Sequence, residues 1–133
     1  MQVHPDAPPM VFHLRDGKTL ISLHHNRHIK TQYDGLDGKM DGMKDRAEIW
    51  SSLSHDGGRT WSEPRFMFAN ATPPNPDKNG WFNHNVSYLD AVIDDGVIHI
   101  FCPHLWNRAL HLTIREAALP NLPTATQLAL LTP

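Results

Sequence analysis

Two Asp-Gly turns, each set between short apolar runs, constrain the fold of this chain more than any other feature. The first lies in residues 11–23, VFHLRDGKTLISL, and the second in residues 88–101, YLDAVIDDGVIHIF. Asp-Gly between apolar runs is a strong hairpin signal, because glycine adopts a positive φ at little cost. A third pair of runs flanks residues 54–61, and a further strand is predicted at 109–115. The pattern predicts an all-β fold of antiparallel strands, with one unit of four strands followed by a shorter unit.

Composition favours the same fold class and narrows the partners. Eleven prolines disfavour long helices, and four tryptophans suit repeated β units. Twelve basic and fourteen acidic residues give a net charge of -2, so no nucleic-acid partner is expected. No run approaches the ~20 apolar residues of a membrane span, and the first residues lack a secretory signal. The sequence does not decide the cellular compartment, and the full-length protein could be secreted or periplasmic. The single cysteine, Cys102, is expected to be a buried thiol.

The stretch SHDGGRTW at residues 54–61 separates two predicted strands. Its adjacent glycines allow positive φ, and the preceding Asp56 can fold its carboxylate back onto backbone N–H groups. Hydroxyls of Ser54 and Thr60 can tie the strand ends together, and Trp61 can bury its ring. Each residue type therefore has a structural role in a tight turn.

The same residues carry a resemblance to a known family. Ser54, Asp56, Gly58, Thr60 and Trp61 match the pattern Ser-x-Asp-x-Gly-x-Thr-Trp. This pattern resembles the Asp box, also called the bacterial neuraminidase (BNR) repeat, of the sialidase superfamily. The box there joins the third and fourth strands of a propeller blade, on the face away from the active site. The resemblance therefore implies that Asp56 is a turn residue rather than an acid catalyst.

The resemblance implies a sialidase-like six-bladed β-propeller, of which this chain covers about one and a half to two four-stranded antiparallel blades. Residues 8–69 would form a first blade with the Asp box, 70–84 a connection and 85–118 an incomplete second blade. Residues 119–133 would form a tail, frayed or with a short helix. The chain is accordingly expected to be a fragment of a longer propeller.

The resemblance also implies an activity, that of an exo-α-sialidase-type glycoside hydrolase acting on terminal acidic sugars of glycans. Such enzymes use a Tyr nucleophile, and arginine forks suit the carboxylate of the sugar. One family arginine precedes a proline near the start of the first blade, where this chain has Ala7 before Pro8. A second follows the second strand, where Arg27 stands. Missing blades would supply the Tyr, its Glu partner and further arginines, so this chain alone is expected to be inactive.

Position relative to that arginine selects the other site candidates. Asp45 and Glu48 are the nearest matches to the acid/base of the family, with three loop alternatives, Asp34, Asp37 and Asp41. Solvation of a polar loop is the competing interpretation of these carboxylates. The substrate-binding candidates are Arg27, His25, His84, Asn85 and His104. Trp50, Trp81 and Trp106 suit either sugar stacking or packing between blades.

No cofactor or metal is expected. Carboxylates in residues 34–45 lack the spacing of an EF-hand loop, and His24 and His25 would point to opposite faces of a strand. The alternative function is a non-catalytic carbohydrate-binding or scaffold β-propeller module, which the missing arginine before Pro8 favours. Expected partners are a glycan or acidic sugar, with no membrane. Self-association through open blade edges stays open.

Overall fold

The computed structural model describes residues 9–25, 48–69, 86, 88–104 and 108–130. It confirms the all-β prediction, because the described strands form one sheet of four and one sheet of three, all pairs antiparallel. Two short helices follow the last strand. The described part of the chain is thus built from two sheets in sequence order.

The first sheet has the strand order β1-β2-β3-β4. At the β1–β2 turn, Gly17 has φ +66° and the Asp16 carboxylate accepts backbone N–H groups, as an Asp-Gly turn requires. A bulge between Ile49 and Trp50 shifts the register of β3 against β4. The strand bounds are β1 (Met10–His13), β2 (Leu20–His24), β3 (Glu48–Ser54) and β4 (Arg65–Ala69).

The second sheet has the order β5-β6-β7. Its first turn places Asp95 at φ +43° and Gly96 at φ +73°. Two successive positive φ angles suit a two-residue hairpin, because their twist matches that of the strands. The bounds are β5 (Asp90–Asp94), β6 (Val97–His104) and β7 (Arg108–Arg115). The predicted hairpin and the further strand at 109–115 are therefore both present.

One hydrophobic core joins the two sheets. Alternation along β6 turns Ile98, Ile100 and Cys102 inward. They pack with residues of the first sheet and with two residues outside the strands, in the cluster Ile21, Leu23, Ile49, Val86 and Leu119. The expected burial of Cys102 is confirmed, and desolvation raises the pKa of its thiol to about 11.

The C-terminal segment is attached to both sheets. A 3₁₀ helix (Glu116–Asn121) buries Leu119, and helix α1 (Ala125–Ala129) begins at a capping box formed by Thr124 and Gln127. Between the helices the chain runs beside β4: the backbone N–H of Phe66 donates to Pro123 O at 2.9 Å and that of Ala125 donates to Pro64 O at 3.1 Å. Arg65 Nη1 also donates to Leu122 O at 2.6 Å. The segment therefore covers the outer edge of β4, a place for it that the sequence pattern did not indicate.

The hairpin turns of both sheets lie at one edge of the structure. Arg15, in the β1–β2 turn, places Nη1 3.0 Å from Asp95 Oδ1 in the β5–β6 turn. Its backbone N–H donates to Glu116 Oε1 at 3.0 Å. Because β1 to β4 are antiparallel, residues 54–61 lie at this same edge, which we call the turn edge. The far edge, at the opposite ends of the strands, contains the end of β2, the start of β3 and the end of β6.

Candidate functional site

At the turn edge, residues 54–61 close around a single carboxylate. Asp56 Oδ1 accepts from Ser54 Oγ and from the Thr60 backbone N–H, both at 2.9 Å, and Oδ2 accepts from Thr60 Oγ1 at 2.6 Å. Ser54 Oγ in turn accepts the Gly58 N–H at 2.9 Å. The Thr60 side-chain bond, followed by the Thr60 backbone and Ser54 bonds, lowers the pKa of Asp56 to about 2. This carboxyl group is therefore ionised at neutral pH and has no proton to donate.

The two glycines of this turn are required by backbone conformation. Gly57 has φ +74° and Gly58 φ +87°, and a Cβ at Gly58 would lie no closer than 3.6 Å to a neighbour. Positive φ, rather than space, thus explains both glycines. Trp61 Nε1 donates to Gly58 O at 3.1 Å, so the tryptophan also closes the turn.

A second carboxylate turn lies beside the first. Asp16 accepts the backbone N–H groups of Lys18 and Thr19, each at 2.8 Å, and the Thr19 hydroxyl at 2.6 Å. The Thr19 hydroxyl bond, together with the two backbone bonds, lowers the pKa of Asp16 to about 2. Thr19 Oγ1 also lies 3.3 Å from His55 Nδ1, which links the two turns. Sequence analysis used Asp16 only as a hairpin signal, although a threonine follows it at close spacing as one follows Asp56.

An open groove of about 460 Å³ lies between the two hairpins at the turn edge. The arginine among the described residues that line it, Arg15, is paired with Asp95, and Asp94 lies beside them. Two carboxylates against one guanidinium group disfavour an anionic ligand. The groove is therefore a poor site for an acidic sugar, and it is lined by His13, Leu14, Arg15, Ile93, Asp94 and Asp95.

At the far edge, β2 and β3 bring together two predicted site residues. His25 follows β2, and Glu48 is the first residue of β3; they are 1% and 4% exposed. His25 Nδ1 lies 2.8 Å from the Glu48 carbonyl oxygen. Because a carbonyl only accepts, His25 donates through Nδ1–H, which fixes the orientation of its ring.

The Glu48 carboxylate is buried beside Trp50. Trp50 Nε1 donates to Glu48 Oε2 at 2.8 Å, and the indole, itself fully buried, packs edge-on against Phe66 with ring centroids 5.4 Å apart. Buried ionisable groups are costly unless hydrogen-bonded, so this contact contributes to holding the carboxylate in place. Full burial of Trp50 argues against sugar stacking, and its ring contact with Phe66 lies within the first sheet.

Two further residues at the far edge, His24 and Ser52, take part in hydrogen bonds that the sequence did not predict. His24 Nε2 lies 3.1 Å from Ser52 Oγ, and His24 Nδ1 lies 3.3 Å from His25 O. Both His24 and Ser52 are 1% exposed. The signal in the sequence is confined to β2, where Ser22 and His24 alternate with apolar residues. With His25, Glu48 and Trp50, they form a buried polar cluster.

The remaining site predictions differ in how far the structure describes them. The backbone of His104 ends β6 at the far edge. Arg27, Asp45, His84 and Asn85 lie outside the described residues, as do Asp34, Asp37 and Asp41. The structure thus describes the strand ends that flank the candidate site and two of its side chains, His25 and Glu48.

Within the described ranges, no group of three or more His, Cys, Asp or Glu side chains is arranged to hold a metal ion. The helices of the described part are all too short or too polar to cross a membrane.

The described residues define a class, an all-β chain whose two antiparallel sheets share one core. No family model matches the chain, and neither the curated proteins nor the solved structures contain a significant match. Assignment to a particular family and activity is therefore a matter for proposal and test.

Proposed function

We propose that this chain is part of a sialidase-like β-propeller glycoside hydrolase that removes terminal acidic sugars from glycans. The observation that carries the proposal is the turn at residues 54–61, whose motif side chains all engage in closing it around Asp56. The turn joins the third and fourth strands of a four-stranded antiparallel sheet. That is the position an Asp box takes in a propeller blade, so motif and topology support each other.

A second argument for the proposal is the shared core of the two sheets. Blades of a propeller pack face to face, and each contributes alternate strand residues to the interface. Here the alternate residues Ile21 and Leu23 of β2 pack in one cluster with Ile98 and Ile100 of β6. The first hairpins of the two sheets also meet, through Arg15 and Asp95. Two antiparallel sheets that follow one another along the chain and pack side by side are what two successive blades of a propeller require.

We place the reaction at the far edge, because the Asp16 and Asp56 carboxylates of the turn edge are engaged in closing their own turns. Arg27 is the third residue after β2, and Asp45 is the third before β3, so two neighbouring strands lead to both. In the proposed site, the Arg27 guanidinium binds the carboxylate of the sugar through two parallel hydrogen bonds. Asp45 donates a proton to the leaving oxygen.

The described side chains suggest different roles for the two candidate carboxylates. Glu48 is buried and bonded to Trp50, so in our proposal it positions the start of β3, and Asp45 carries the acid/base role. His25 bonds the Glu48 backbone and holds the end of β2 beside β3. His84, Asn85 and His104 remain candidates for contacts with hydroxyl groups of the sugar.

A non-catalytic carbohydrate-binding or scaffold propeller module is the second candidate function. The observation that favours it is the engagement of Glu48, the described candidate carboxylate, in a buried structural contact rather than on an accessible surface. The absence of an arginine before Pro8 points the same way. Such a module would bind an acidic sugar without cleaving it.

The test is a fluorogenic sialoside assay on the longest natural protein that contains this sequence, with Arg27→Ala as the variant. Loss of two charge-assisted hydrogen bonds is expected to lower kcat/KM by about 10²-fold or more. Arg59→Ala is the matched control, because Arg59 is an exposed arginine at the turn edge, and its activity should equal that of the parent.

Three outcomes separate the candidates. Turnover that falls in Arg27→Ala alone supports the hydrolase and the far-edge site. Sialic-acid binding without turnover, measured by calorimetry, supports the binding module instead. Turnover that is equal in Arg27→Ala and the parent removes Arg27 from the site.

A further inference from the structure

The outward face of the second sheet carries two histidines that meet across neighbouring strands. His99 lies on β6 and His111 on β7, and they are diagonal neighbours, since the register pairs His99 with Thr113 and His111 with Phe101. His99 Nδ1 lies 3.0 Å from His111 Nε2. The two rings are nearly parallel, with an interplanar angle of 16° and centroids 5.2 Å apart. Neither residue belongs to the proposed sugar site or to the core.

The surroundings hold both rings while leaving them open to solvent. β6 and β7 are paired continuously from Val97↔Arg115 to His104↔Arg108, which fixes the backbone beneath the histidines. The Phe101 ring stacks on His111 at a centroid distance of 4.6 Å and an angle of 5°. His111 is exposed and His99 partly exposed, so both side chains border the solvent.

The distance between the nitrogens suits two ligands of one metal ion. Imidazole binds such ions at about 2.0–2.1 Å, so two nitrogens on one ion lie about 2.9 Å apart at a right angle and about 3.3 Å apart at a tetrahedral angle. The observed 3.0 Å, which is the length of the hydrogen bond between the rings, lies between these two separations. The choice of ion follows from its chemistry, because nitrogen ligands bind Cu²⁺ more tightly than Zn²⁺, and Cu²⁺ and Ni²⁺ favour right-angle arrangements of such ligands.

We propose that His99 and His111 form a two-histidine chelate for a divalent late transition-metal ion, with Ni²⁺ and Cu²⁺ preferred to Zn²⁺. On binding, the hydrogen bond between the rings is replaced by two metal–nitrogen bonds. His99 then carries its proton on Nε2 and His111 on Nδ1, so that both facing nitrogens present lone pairs. The facing nitrogens of the hydrogen-bonded pair point almost straight at each other, so each neutral imidazole must change its tautomer or turn its ring until both lone pairs converge on one ion. Water completes the coordination. This inference is independent of the proposed function.

The experiment titrates the full chain with Ni²⁺ alone, by calorimetry and by NMR. Paramagnetic Ni²⁺ should broaden the ring signals of His99, His111 and Phe101 before others. His99→Gln and His111→Gln should each weaken this site at least tenfold, because even the loss of a partner that only supports a ligand costs about 10–100-fold. His13→Gln, which removes an exposed histidine from the first sheet, is the matched control and should bind like the parent.

The chain has ten histidines, and others among them can bind Ni²⁺. The results that would refute the proposal therefore concern where Ni²⁺ binds, rather than whether it binds. If the ring signals of another histidine broaden first when Ni²⁺ is added to the parent chain, the chelate is refuted. This result does not require any variant to fold. Equal Ni²⁺ affinity in the parent and in both glutamine variants would refute it as well. A Zn²⁺ affinity above that of Ni²⁺ at the same site would overturn the assigned ion preference.

Discussion

Replacing Leu119 by alanine is expected to destabilise the chain by about 3 kcal/mol. Leu119 is 1% exposed and packs in the cluster that joins the two sheets, although it lies in a 3₁₀ helix after the last strand. Truncation of a buried leucine to alanine costs about 2–5 kcal/mol, from lost transfer free energy plus the cavity left behind. For 133 residues, an unfolding entropy of about 2.1 cal/mol/K per residue converts 3 kcal/mol into a fall in Tm of about 10 °C.

Urea unfolding followed by tryptophan fluorescence and by circular dichroism measures this loss. The matched control is Leu130→Ala, a leucine of the same C-terminal segment that is 82% exposed, and it should change stability by less than about 0.5 kcal/mol. A loss below about 1 kcal/mol in Leu119→Ala would refute the reasoning, because the helix would then contribute little to the shared core. Equal losses in both variants would also refute it.

Three further predictions concern the buried and turn groups. Asp16 and Asp56 have pKa values lowered from 3.8 to about 2, so they stabilise the fold above pH 4 and lose this effect as the pH falls towards 2; Asp56→Asn should reduce the slope of stability against pH in that window. Trp50→Phe keeps an aromatic ring but removes the N–H that Glu48 Oε2 accepts; we expect a loss of about 1–3 kcal/mol in urea unfolding, and a loss near zero would contradict the contact. Cys102 should react with a thiol reagent only at the rate of unfolding, because it is buried with a raised pKa; fast labelling of the folded chain would contradict this.

The strands were predictable because their signals are local. Asp-Gly turns at residues 16–17 and 95–96 sit between runs with clear alternation, and hairpin pairing follows from the turn. The bonding of Asp56 was predictable for the same reason, since Asp and Ser side chains in turns readily bond backbone groups a few residues away. Such features need no knowledge of the rest of the fold.

Other contacts depend on pairing between distant segments, which one sequence does not specify. Leu119 packs in the core with residues of both sheets. Residues 122–125 run beside β4, where hydrogen bonds such as that of Arg65 join parts of the chain about 60 residues apart. Proline-rich sequence gave no periodicity to predict that contact. The capping box of Thr124 and Gln127 was a local signal that sequence analysis overlooked.

The candidate site was predictable only in outline. A four-stranded antiparallel unit was predicted, and the pairing of β2 with β3 places His25 and Glu48 at the same end of the sheet. Sequence did not indicate that Glu48 is buried and accepts a hydrogen bond from Trp50, because that depends on the bulge and packing of β3. The sequence did not predict the contact between His99 and His111, because a diagonal contact depends on the exact register of β6 against β7.

The central claim is that residues 54–61 serve structure while the far edge serves the sugar. It is tested most directly by measuring Tm and sialoside kcat/KM in one natural protein and in its Asp56→Asn and Arg27→Ala variants. We predict that Asp56→Asn lowers Tm and leaves kcat/KM unchanged below the unfolding range, whereas Arg27→Ala lowers kcat/KM and leaves Tm unchanged. A loss of kcat/KM in Asp56→Asn at unchanged Tm, with full activity in Arg27→Ala, would contradict the account.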